Sequence, residues 1–142
     1  MEVSREILSD IADSLEAGLK CFIHRDTHEV ISFPKDYEDQ LFDGEEDPWD
    51  DEKKKIKNAK RKYFEVQSMP SRFGFKVMEE FVHSINNNPT KNLLLKALEG
   101  RKPFANFKDQ IDSLGNYREQ WFKFRREKNI QWLQKQLDFK QF

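Results

Sequence analysis

The stretch "LKCFIHRDTHEVISF" (Leu19–Phe33) decides the fold class. Leu19 to Arg25 and Glu29 to Phe33 are rich in β-formers, and Asp26-Thr27 between them is turn chemistry, so the spacing predicts a β-hairpin. His28 falls just after a type I turn, where a positive φ is often required and Gly is preferred. Histidine tolerates that conformation better than a β-branched residue would. Upstream, Ser4 is placed to cap a helix carrying Ile7, Leu8, Ile11 and Leu15 at 3.6-residue spacing, with Gly18 placed to end it. Downstream, "YFEVQ" (Tyr63–Gln67) reads as a third strand, pairing with the hairpin to make a small antiparallel sheet.

Between hairpin and third strand, residues 36–52 hold ten acids and few apolar side chains (Tyr37, Leu41, Phe42 and Trp49), followed at once by "KKKIKNAKRK" (Lys53–Lys62). This reversal of sign reads as a division of the chain into two parts, an acidic loop leading into a solvated helix. After Pro70 the pattern is helical. Met78, Phe81, Val82 and Ile85 form one stripe; "INNNPT" breaks it; Leu94, Ala97 and Leu98 continue in a helix stopped by Gly100. Pro103 suits the first turn of a further helix on which Phe104, Phe107, Ile111 and Leu114 share a face, and Gly115-Asn116 separates it from the last. The expected fold class is therefore α+β, in one domain spanning 1–142. An N-terminal helix, small antiparallel sheet and acidic/basic connector (1–67) pack with a C-terminal helical bundle (68–142).

The last helix carries an unusual pattern. As a straight helix over Tyr117 to Leu137, it would gather Tyr117, Trp121, Phe124 and Trp132 on one side. Phe122, Ile130, Leu133 and Leu137 would lie about 150° away. Two stripes need two things to pack against: a break near Asn129, a groove between sheet and helices, or a partner. The apolar tail "LDFKQF" adds Phe139 and Phe142 to the second stripe as a docking surface for another protein or a second copy.

The composition sets limits. The chain has 142 residues, 37% hydrophobic and 36% charged, with thirteen Phe, so the buried area comes in large aromatic pieces. The net charge of -1, from 26 acids against 25 bases, removes any argument from bulk charge toward nucleic acid or a membrane. Cys21 is the sole cysteine, so no internal disulfide forms, and a reducing cytosol is the expected compartment. The acidic, amphipathic start carries no signal-peptide pattern, and no apolar run approaches the ~18 residues of a membrane span.

Candidate site residues come from local patterns. Arg125 falls beside Trp121 on the last helix, where its guanidinium needs an acid or an aromatic face; Glu79 or Glu80 is the acid to propose. Arg101, Lys102 and Lys108 surround the start of the Phe104 helix, where free backbone N–H groups also favour anions. With Arg125, Arg126 and Lys53–Lys62 they would make a basic face for nucleic-acid phosphates. The hairpin residues Cys21, His24, Asp26 and His28 are the only candidates for metal, and their placement does not support a site. Cys21 reads as a buried inert thiol. No glycine motif for nucleotides and no nucleophile signature appears, so no cofactor and no catalytic residue is assigned.

The succession "MPSRF…VMEEFVHSI…ALEGRKPFANFKDQID…WFKFRREKNIQWL" resembles uncharacterised protein family 158, short proteins of bacteria. Its most specific part is Gly100-Arg101 with Phe104, Phe107-Lys108, Trp121, Phe124-Arg125 and Trp132. The family often has Gly in the hairpin turn where this chain has His28. The resemblance implies a bacterial cytosolic protein and transfers no catalytic residue. The function expected is a non-catalytic protein-interaction module, docking through the acidic loop and the two-faced last helix, with nucleic-acid binding through a basic face as one alternative and an enzyme of unidentified class as the other.

Overall fold

The computed structural model describes residues 2–35 and 47–140. They form six helices and a three-stranded antiparallel sheet, an α+β fold. The chain divides into two compact units, one comprising Met1–Ser68 with Ile130–Phe142 and the other Met69–Asn129.

In the first unit, helix α1 (Arg5–Glu16) begins where the Ser4 hydroxyl accepts the Ile7 N–H at 3.3 Å, satisfying one of the free donors of the first turn. Gly18 follows at φ +85, the left-handed conformation that glycine adopts without strain. Strands β1 (Leu19–His24) and β2 (Val30–Pro34) form the expected hairpin, with Phe22 opposite Ile31. His28 takes φ 60, as the turn requires. The turn is held from an unforeseen side: the His24 Nδ1 accepts the N–H groups of Asp26 and Thr27 at 3.1 and 3.2 Å. Strand β3 (Tyr63–Val66) adds antiparallel to β1, giving the order β2-β1-β3.

Strand alternation splits the sheet into two faces. Cys21, Ile23 and Val66 face a core that takes Leu8, Ile11 and Ala12 from α1 and Ile130, Leu133 and Leu137 from the end of the last helix. On the other face Ile31, Phe33 and Tyr63 are covered by Trp49, Ile56 and Ala59, in and around helix α2 (Asp50–Asn58). The change of charge sign that reads as a division of the chain falls inside α2. Asp50, Asp51 and Glu52 occupy its first turn and Lys55 and Lys57 its last, which complements the helix dipole at both ends. Residues 36–46 of the acidic stretch lie outside the described residues.

Ion pairs tie α2 to the sheet. Lys55 Nζ donates to Glu29 Oε1 at 2.7 Å, and the Tyr63 hydroxyl donates to the same oxygen at 3.1 Å. The Lys55 bond holds the Glu29 carboxyl below its ordinary range, while burial, then the Glu29 contact, pushes the Tyr63 phenol up. Asp26, bonded by Lys62, and Asp47, bonded by Lys53, are lowered in the same way.

The second unit holds helices α3 (Ser71–His83), α4 (Asn88–Glu99) and α5 (Pro103–Ile111), and the first part of α6 (Asn116–Asp138). Asn87 caps α4 by accepting the Thr90 N–H at 3.1 Å, and Pro103 opens α5. Gly115, at φ +57, makes the turn into α6. The core of this unit is Val77, Met78, Phe81 and Val82 with Leu94, Leu98, Phe107, Ile111 and Trp121.

Helix α6 runs unbroken through Asn129. Its apolar residues are shared out along the helix as well as around it. Trp121 and Phe124 belong to the core of the second unit, whereas Ile130, Trp132, Leu133 and Leu137 belong to that of the first. Ile130, Leu133 and Leu137, proposed from sequence as a docking stripe, are buried core residues, and Trp132 packs with them rather than with Trp121. The Gln136 side-chain amide seals the end of β3, accepting the Gln67 N–H at 2.8 Å and donating to the Gln67 carbonyl at 2.9 Å.

Two measurements test this account. Leu137, with no exposed area, is expected to cost about 2–5 kcal/mol on truncation to Ala, as a core position does and a docking surface does not; urea unfolding followed by circular dichroism reads it. Glu29, lowered in the folded state, contributes stability present above the ordinary carboxylate range near pH 4 and lost as pH falls through its folded value. Glu29→Gln should therefore lower the urea midpoint at pH 7, and the difference from wild type should shrink as pH falls below the ordinary carboxylate range and through the folded value.

Candidate functional site

The second unit contains a pocket of about 630 Å³ lined from α3, α5 and the first part of α6. Its volume lies in the range of sites that take a small molecule or a large side chain. The buried wall is Val77 and Met78 of α3, Phe107 and Ile111 of α5 and Trp121 of α6. Ring packing fixes that wall. The Trp121 and Phe107 rings meet edge to face at 4.8 Å between centroids, and Phe81 packs against both Trp121 and Phe124 at 5.4 Å.

Two aromatic residues of the lining remain open to solvent, Phe104 at 46% and Phe122 at 36% exposure, so the apolar wall reaches the mouth. Phe104 was expected to share the core face of its helix with Phe107 and Ile111; it stands at the mouth instead. Gly74 supplies the space beside it: a Cβ there would sit 3.5 Å from the Phe104 ring, in ordinary contact.

The polar lining is mostly cationic: Lys108, Arg118 and Arg125 against the single carboxylate of Asp112, with Asn129. Arg118 and Arg125 lie four residues before and three after Phe122, so both reach its ring, at 4.6 and 5.4 Å from the centroid. Arg125 also lies 5.8 Å from the Trp121 ring. Arg118 Nε donates to Asp112 Oδ1 at 3.1 Å. Lys108 forms no ion pair among the described residues. The arrangement can enclose an apolar body and hold an anion beside it.

Of the residues singled out from sequence, Lys108, Trp121 and Arg125 come together in this pocket. Arg101, Lys102 and Arg126 are exposed and outside its lining, and Glu79 is half-buried on α3, also outside it. Glu80, the other acid considered for Arg125, receives Lys128 Nζ at 2.9 Å. The clamp of Arg118 and Arg125 on Phe122 has a signal in the sequence, the helical spacing of four residues before and three after the ring. Gly74 and Asp112 carried no sequence signal, because their role depends on which helices meet.

The remaining candidates are placed elsewhere. In the basic run, Lys53, Lys54, Lys55 and Lys62 pair with Asp47, Asp50, Glu29 and Asp26. That run belongs to the first unit and Arg101, Lys102, Lys108, Arg125 and Arg126 to the second. Cys21 is fully buried and burial pushes its thiol up, so it is a packed side chain and not an activated nucleophile. It points to the sheet face opposite His24, whose Nδ1 is taken up by the turn. Among the described residues no three His, Cys, Asp or Glu side chains converge as a metal site would need. Phe139 is 86% exposed, and Phe142 lies outside the described residues.

The sequence pattern of Uncharacterised protein family (UPF0158) matches residues 7–142, nearly the whole chain. The chain belongs to that family. No curated protein and no solved structure matches it. For this UPF0158 member the pocket is thus defined by its own residues alone. No helix among the described residues is long and apolar enough to cross a membrane.

Gly74→Ala tests the shape of the pocket. It removes a mid-helix glycine and places a methyl in ordinary contact with Phe104, so it should stabilise by about 0.5–1 kcal/mol, read as a rise in the urea midpoint. Gly100→Ala should do the reverse, because its Cβ would overlap the Asn106 amide that donates to the Ala97 carbonyl.

Proposed function

We propose that this UPF0158 protein is a non-catalytic protein-interaction module of the bacterial cytoplasm, docking its partner on the pocket of the helical unit. The observation that carries the reading is an apolar wall continued to the surface by Phe104 and Phe122. A small molecule enclosed within the pocket would leave those rings wet, whereas a protein segment laid across the mouth covers them. The one carboxylate of the lining, Asp112, is held by Arg118, so it is poorly placed to act as a base. The lone thiol, inert in the sheet core, agrees with a reducing compartment.

This docking surface takes the place of the second stripe of α6, of which Ile130, Leu133 and Leu137 are needed in the core. Nucleic-acid binding stays as the second reading, on one observation: Arg101, Lys102 and Lys108 are exposed around the start of α5 and form no ion pair among the described residues.

The test is a random-peptide display selection on the full chain, with Gly74→Leu to fill the pocket and Phe104→Glu to charge its mouth as counter-selections. Each variant is first matched to wild type by circular dichroism. Peptides retained by wild type and released by both variants are the expected result; a selection yielding none overturns the reading. In parallel, labelled DNA and RNA are titrated by fluorescence anisotropy at two salt concentrations. Affinity that falls steeply with salt and is insensitive to Gly74→Leu would install the second reading in its place.

A further inference from the structure

We infer that His24 is a proton-operated latch on the hairpin turn: its neutral imidazole holds the turn closed, and taking up a proton at Nδ1 releases it. The latch belongs to the sheet unit and is independent of the docking proposed for the pocket.

The geometry fixes the protonation state that closes the turn. Nδ1 accepts the N–H groups of Asp26 and Thr27 at 3.1 and 3.2 Å. An imidazole nitrogen accepts only through an unprotonated lone pair, so the closed turn needs a neutral ring with its hydrogen on Nε2. Tyr63 steadies that ring, lying perpendicular to it at 5.0 Å between centroids. His24 thereby does what Asn or Asp does at the head of a turn, where a side-chain oxygen bonds the N–H two residues on. An amide oxygen keeps that capacity at any pH, whereas Nδ1 loses it once charged, and histidine is the side chain that changes charge between pH 5 and 8.

The groups around the ring do not take over its role. Asp26 is bonded by Lys62 at 2.9 Å and Glu29 by Lys55 at 2.7 Å, which holds both carboxyls below their ordinary range and keeps them charged throughout that interval. Arg25 also lies 3.5 Å from Asp26. Tyr63, pushed up by burial and then by Glu29, stays neutral. An imidazolium would thus meet carboxylates that already have cations and two N–H groups turned toward its own. His28, the other histidine of the turn, donates its backbone N–H to the His24 carbonyl at 2.9 Å. Opening reaches beyond the turn, because Lys55 of α2 and Lys62 before β3 are moored to Glu29 and Asp26. The latch therefore bears on how firmly α2 covers Ile31, Phe33 and Tyr63.

The experiment is NMR on the full chain between pH 5 and 8. The nitrogen shift of His24 Nδ1 reads its protonation, and amide exchange with water, relative to the intrinsic rate, reads protection at Asp26 and Thr27. As Nδ1 takes up its proton, protection of the two amides should fall on the same curve by about fivefold, the effect of one hydrogen bond of ordinary strength. His24→Asn, an acceptor that does not titrate, should keep both amides protected across the range. His24→Phe, a ring without an acceptor, should leave them unprotected throughout. His28→Asn, which also tolerates a positive φ, should keep the wild-type response. Protection that holds or rises as His24 is protonated overturns the latch, as does a pH response that His24→Asn retains or His28→Asn abolishes.

Discussion

Helix α6 is the element on which both units depend. Its 23 residues supply Trp121 and Phe124 to one hydrophobic core and Ile130, Leu133 and Leu137 to the other. A helix that serves one core carries one apolar stripe; a helix that serves two in succession can carry stripes at different angles, one for each. That explains why α6 looks amphipathic in neither sense over its full length. It also explains why its apolar residues are not spare. Leu133 and Leu137 are as deeply buried as Ile23 of the central strand, whereas Phe122 and Phe139 of the second stripe face solvent.

The two cores solve different problems. The sheet unit has only three short strands and must cover both faces. One is closed by aliphatic packing against α1 and α6, the other by the short, highly charged α2, which contributes Ile56, with Trp49 just before it, and is secured by lysine–carboxylate pairs. Exposed pairs of this kind are weak one by one. They matter here because α2 has no fully buried residue of its own. The helical unit has the larger aromatic share, and its rings do not close over one another completely. The space left between α3, α5 and α6 beside Gly74 is the pocket.

The charge of the protein is likewise decided locally. A chain with almost equal acids and bases has no bulk preference for any partner. The sign is sorted by position instead: Lys53, Lys54 and Lys55 of α2 meet carboxylates of their own unit, while the lining of the pocket holds three cations against one acid.

Much of the fold was legible from spacing and chemistry close along the chain. Ser4, Gly18, His28, Asn87, Pro103 and Gly115 mark element ends because capping, positive φ and the fixed proline φ act within a few residues. Alternation revealed the hairpin and third strand, and the helical period revealed the stripes of α3, α4 and α5. Lys108, Trp121 and Arg125 could be singled out by residue type. Which core each stripe of α6 enters was not legible, because periodicity reports that a face is apolar and never what lies opposite it. For the same reason the division of the basic residues into paired and pocket-lining sets and the space beside Gly74 were tertiary decisions. They arise where residues distant in sequence meet, and no local pattern encodes the meeting.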